Sequence, residues 1–143
     1  MKRNDAFMDH VETIVNETRD LLYTFARFNE GDRSDHARYC KSIALLCTDS
    51  VMYLTNLHAN FLRAPEHMIE NFLSEATYRM HSAYFLAGID EDGAQEEAAL
   101  RSITTKMEHA DILLHQNPSD WTKFENAFNQ LDNLRITSVD PND

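Results

Sequence analysis

Apolar side chains recur along this chain at alternating steps of three and four. Phe7, Val11, Ile14, Leu21, Phe25 and Phe28 form the first such seam, with the polar Thr18 as its single interruption, and predict helix 1 over residues 5–29. Glu30-Gly31-Asp32-Arg33 breaks the rhythm. Ser34 can then cap a second helix, and Asp35 complements its N-terminal dipole. That helix runs to about Leu62 with Cys40, Ile43, Cys47, Val51, Leu54 and Phe61 turned inward. Its second apolar flank, Leu45, Met52 and Leu57, predicts either the most buried helix or one shared with another subunit.

Pro65 suits the first turn of helix 3, where its missing N–H costs nothing. This helix presents Ile69, Phe72, Ala76, Met80, Ala83 and Ala87, and Gly88 is placed to end it in a left-handed C-cap. After the acidic connection Asp90-Glu91-Asp92-Gly93, Asp92 with Gln95 reads as a capping box for helix 4. Leu100, Ile103, Met107, Ala110 and Leu114 line one face of that helix to about Gln116, where Asn117-Pro118 stops it. Ser119 can cap a short fifth helix carrying Trp121, Phe124, Phe128, Leu131 and Leu134. Beyond Arg135 the residues are polar and expected to fray. The pattern therefore predicts an all-α protein, an antiparallel up-down-up-down four-helix bundle with a short fifth C-terminal helix. One domain covers residues 1–135 and a tail covers 136–143 of the 143-residue chain.

Charge narrows the choice of partner. Thirteen basic against 24 acidic side chains give a net charge of −11, which repels polyanions and makes direct nucleic-acid binding a poor expectation. The same excess speeds encounter with a basic protein surface, or serves only to keep the protein in solution. No apolar run approaches the roughly 20 residues that span a bilayer, and Met1-Lys2-Arg3-Asn4-Asp5 turns acidic without the apolar stretch of a signal peptide. Cys40 and Cys47 lie two helical turns apart, about 10 Å, too far to pair with each other. Reduced thiols and a cytoplasmic location are the expectation.

Catalytic and metal chemistry find little support in these residues. Glu-x-x-His, which di-iron bundles carry on two helices, does not occur. His67 and Glu70 stand one turn apart and could share a metal; His109 and Asp111 could do so only with strain. Neither pair makes a site, so no metal and no cofactor are expected. Both cysteines fall on the core seam, and there is no Gly-x-Ser-x-Gly turn or glycine-rich phosphate loop. Of the Arg–His spacing found in helical ribonucleases of the HEPN type, only Arg3 and His10 fit, at the very start of the chain. Tyr39, Tyr53, Tyr78, Tyr84, Phe85 and Trp121 sit partly off the seams, where they either fill crevices between helices or supply an interface. Arg19, Arg27, Arg33, Arg38, Arg63 and Arg79 either cluster at one end of helices 1–3 or pair with nearby acids.

Arg27-Phe28 before a short polar loop, a long second helix beginning near His36, and Phe85-Leu86-Ala87-Gly88-Ile89 closing helix 3 resemble a family of small four-helix bundles. It comprises the accessory variability proteins of diversity-generating retroelements and the proteins encoded in ribosomal-RNA intervening sequences. The resemblance covers residues 11–116 and implies a pentameric, basic protein that partners a reverse transcriptase and its RNA. This chain departs in being acidic and in ending helix 4 with His115-Gln116-Asn117-Pro118 instead of a Gly-rich tryptophan motif. The expectation drawn from the residues themselves is a non-enzymatic acidic protein, monomeric or homo-oligomeric, that binds a basic protein surface as a phage or mobile-element inhibitor or as an adaptor subunit. Its contact residues are expected to be Asp90, Glu91, Asp92, Glu96 and Glu97, a run with no basic residue among it, together with Tyr84 and Trp121. An oligomeric accessory protein of a retroelement reverse transcriptase, and a metal-dependent or HEPN-like hydrolase, are the alternatives.

Overall fold

The computed structural model describes residues 5–25 and 34–116. They form four helices, α1 (Asp5–Phe25), α2 (Asp35–Asn60), α3 (Glu66–Ile89) and α4 (Ala94–Gln116), with no strand among the described residues. The expected fifth helix, with Trp121, and the tail lie outside the described residues, as does the loop between α1 and α2. Among the described residues, no helix is long and apolar enough to cross a membrane.

Each helix packs on two neighbours, α1 on α2 and α4, α3 on α2 and α4. Pairs across each interface show that neighbours run antiparallel. Phe7 meets Phe61, with ring centroids 5.4 Å apart, and Glu12 faces His58. Ser50 meets Ala76 while His36 meets Asp90. Tyr84 meets Arg101 while Glu70 meets His115, and Glu17 meets Lys106 while His10 meets His109. This is an up-down-up-down bundle.

The seams read from the sequence account for most of the interior. Leu100, Ile103, Met107, Ala110 and Leu114 of α4 are all buried, as are Cys40, Ile43, Cys47, Val51, Leu54 and Leu57 of α2. On α3 the seam shifts by one position, so that Leu73 is buried and Phe72 only half-buried, its ring 6.5 Å from that of Tyr53. The second flank of α2 divides: Leu57 joins the core, whereas Leu45 and Met52 stay exposed on the single chain. Buried hydroxyls find acceptors. Thr18 donates to the Ile14 carbonyl at 2.7 Å and Thr104 to that of Leu100 at 2.9 Å, while Ser50 reaches across to the Ala76 carbonyl at 2.9 Å.

Two helix boundaries differ from expectation. Gly88 does not end α3, which continues through Ile89 to an extended Asp90. The absence of a side chain at Gly88 instead admits the Glu97 carboxylate, which would stand 3.3 Å from an added Cβ. Asp92 and Gln95 do not frame the start of α4. Gly93 precedes its first residue, and the Gly93 carbonyl accepts the Glu97 N–H at 2.8 Å.

Candidate functional site

The end of the bundle formed by the start of α2, the end of α3 and the start of α4 holds both buried carboxylates among the described residues, Asp90 and Glu96. Ser34 caps α2, its hydroxyl accepting the Ala37 N–H at 3.2 Å, so His36 falls in the first turn. His36 and Cys40 are one turn apart and share a face of α2. At the far end of α3 the extended backbone of Asp90 turns its side chain back across the helix end. Asp90 Oδ1 accepts the Asp92 N–H at 3.1 Å, and Oδ2 accepts the His36 Nδ1–H at 2.6 Å. The Cys40 thiol lies 3.7 Å from His36 Nε2 and 3.9 Å from Nδ1. Glu96, in the first turn of α4, places Oε1 3.8 Å from His36 Nε2. The side chains of Asp90 and Glu96 are each 3% exposed, that of His36 19%, and Cys40 is fully buried. One atom each from His36, Cys40 and Asp90 lie within 4.8 Å of one another, the residues here that could hold a metal ion.

The acidic run expected to dock a partner is thus split by the fold. Asp90 and Glu96 are buried, so they offer no outer surface, because the turn before α4 folds them against His36. Glu91 and Asp92 are exposed, and Glu97 is half-buried with Arg101 3.2 Å away. Tyr84 is half-buried, its hydroxyl accepting from Arg101 Nε at 3.3 Å. A sequence run without bases therefore acquires His36 and Arg101 as neighbours in space. In the sequence His36 marks only the start of α2. The one signal for it was His-x-x-x-Cys on a helix, since its carboxylate partner is 54 positions away.

The other candidates scatter. His67 is exposed, and its expected co-ligand Glu70 instead accepts from His115 Nε2 at 2.8 Å. Arg38 near the start of α2 and Arg63 just past its end lie at opposite ends of the bundle, so the arginines form no single patch. Arg79 pairs with Glu75 at 2.6 Å and stands 4.6 Å from the centre of the Tyr53 ring. Cys40 and Cys47 form no disulfide, and burial pushes the Cys47 thiol up to about 12, leaving it inert at neutral pH.

A second feature is a groove of about 520 Å³ between α3 and α4. Leu73 and Met107 lie at its base, Tyr78 and Ile112 stand on its sides, and Glu70, Glu108 and Asp111 line it. Tyr78 is 70% exposed and Ile112 56%. His115 bonds to two of the lining residues, Glu70 and Asp111. Its Nδ1–H donates to the Asp111 carbonyl at 2.9 Å and its Nε2–H to Glu70, a pair of bonds that only the imidazolium can donate together. The Glu70 hydrogen bond, followed by that to the Asp111 carbonyl, raises the His115 pKa above 6.5. A raised histidine pKa stabilises the fold below the unfolded value, and that contribution is lost as pH rises through the folded value. An NMR titration of His115 is expected to give a midpoint above 6.5 in the wild type and a lower one in Glu70→Gln.

Comparison of the chain with family models, with curated proteins and with solved structures gives no significant match. The class of protein defined at this point is that of an all-α four-helix bundle.

Proposed function

We propose that this is a non-enzymatic binding protein that seats a basic segment of a protein partner in the groove between α3 and α4. The observation that supports this reading most is the composition of the groove: an apolar base of Leu73 and Met107, the exposed Tyr78 and Ile112, and three carboxylates, Glu70, Glu108 and Asp111. Such a surface suits lysine or arginine side chains, whose aliphatic stems cover apolar area while their heads meet carboxylates. Tyr78 is the kind of exposed aromatic that anchors interfaces. Phe85, 66% exposed and two turns further along α3, extends the apolar strip. The net charge of −11 adds long-range attraction for the same partner. His115 tunes this surface: below its pKa it offsets Glu70 and Asp111, so affinity for a basic segment rises as pH climbs through that value.

Site-specific cross-linking tests the reading. A photoreactive phenylalanine analogue replaces Tyr78 in one version of the full chain and the exposed Thr13 of α1 in another. Position 78 is expected to capture a lysine- or arginine-rich segment that position 13 does not. Combining Glu70→Gln, Glu108→Gln and Asp111→Asn should cut that capture about tenfold, three rim charges at roughly 0.5 kcal/mol each. Capture that ignores the three neutralisations, or that goes to acidic segments, rejects the reading.

A further inference from the structure

We propose that the His36–Cys40–Asp90 cluster is a divalent-metal site of zinc type, independent of the groove. Its ligands are His36 Nδ1, Cys40 Sγ and Asp90 Oδ2, with Glu96 as the carboxylate behind the imidazole. Around a tetrahedral zinc ion, bonds of about 2.0–2.3 Å hold donor atoms roughly 3.3–3.6 Å apart. Here the thiol sulfur stands 3.9 Å from Nδ1, and Nδ1 stands 2.6 Å from Oδ2; one donor atom from each of the three residues lies within 4.8 Å of the others. The sulfur now lies 3.7 Å from Nε2 and 3.9 Å from Nδ1, so an ion enters by widening the Nδ1–Oδ2 separation by about 0.7 Å and by rotating the His36 and Cys40 side chains until the sulfur has moved by about 1 Å or more to the Nδ1 side.

The chemistry of the donors selects the ion. One imidazole, one thiolate and one carboxylate suit zinc and its relatives, whereas magnesium and calcium require oxygen throughout. The surroundings match as well. Asp90 is held by the Asp92 N–H on its other oxygen, which leaves Oδ2 aimed at the site. Glu96 Oε1, 3.8 Å from His36 Nε2, lies on the side where metal-bound histidines have the carboxylate that fixes their tautomer, and it would close by about 0.8 Å to accept the Nε2–H. On binding, the thiol gives its proton to solvent, and the imidazole carries its one proton on Nε2, facing Glu96. Three protein ligands leave the fourth position for water or another small ligand, on the side where His36 reaches the surface.

Titration of the full chain with Zn2+ and with Co2+ tests the site. Expected are one equivalent of tightly held ion and, for cobalt, a near-ultraviolet thiolate-to-metal absorption band. Cys40→Ser should abolish the band, while Cys47→Ala should retain it. Glu96→Gln should keep the band and weaken affinity about 10–100-fold, as the loss of an outer carboxylate does. Far-ultraviolet circular dichroism establishes that each variant is helical. The proposal fails if the wild type takes up neither ion saturably, or if the band survives Cys40→Ser; the cluster is then only a hydrogen-bonded tie between helix ends.

Discussion

Leu54→Ala is expected to lower the unfolding free energy by about 2–5 kcal/mol and to drop Tm by roughly 10 °C. Leu54 lies on the inner seam of α2 with none of its surface exposed, among Val51, Leu57 and the other buried side chains of the core. Truncation removes apolar contact that water cannot replace, and helices tied to one another by hydrogen bonds and ion pairs relax only partly into the void. Leu45→Ala on the same helix is the reference, because Leu45 is 70% exposed and such changes stay within about 0.5 kcal/mol. Thermal and urea unfolding of the two variants measure the difference. Equal losses at both positions would show that Leu45 is covered in solution, hence that α2 is shared with another subunit.

Substitution of Gly93 is expected to be the second most damaging single change, with Gly93→Ala costing about 1–3 kcal/mol and larger side chains more. The reason is space. A Cβ at this position would come within 2.6 Å of the Ala87 carbonyl oxygen, and within 3.0 Å and 3.1 Å of Asp90 Cβ and Oδ2. Backbone at the end of α3 cannot move aside, so the turn must open and carry Asp90 away from His36. Chemical denaturation reads the loss of stability, and the His36 ring resonances should shift with it. Gly88→Ala makes a useful contrast, since its added methyl meets only the end of the Glu97 side chain. A Gly93→Ala protein as stable as the wild type would show that the turn is looser than described.

The helices were legible because each carries its own apolar seam, and a seam records burial directly. The inward set of α4, Leu100 to Leu114, could be named from spacing alone. The shift from Phe72 to Leu73 on α3 was not legible, because both residues are large and apolar and only the neighbouring helix decides between them. The polar cluster was hidden for a different reason. Asp90 and Glu96 look like solvated acids within an acidic run, and what buries them is a turn folding against α2. The groove was partly legible through the off-seam Tyr78, but its acids come from two helices that sequence cannot align.

Among the hydrogen bonds that tie α2 to α3 and the residue after it are Ser50 to Ala76 at mid-height and His36 to Asp90 at the end. The intervals between them, from 36 to 50 and from 76 to 90, contain the same number of residues on both helices. They act as two dowels through a pair of rods, and sliding by a single turn, about 5.4 Å, would have to shear both at once. The hairpin they lock can tilt or bend, but it cannot change length on one side alone. A slip of one helix along the other is therefore opposed at two heights at once.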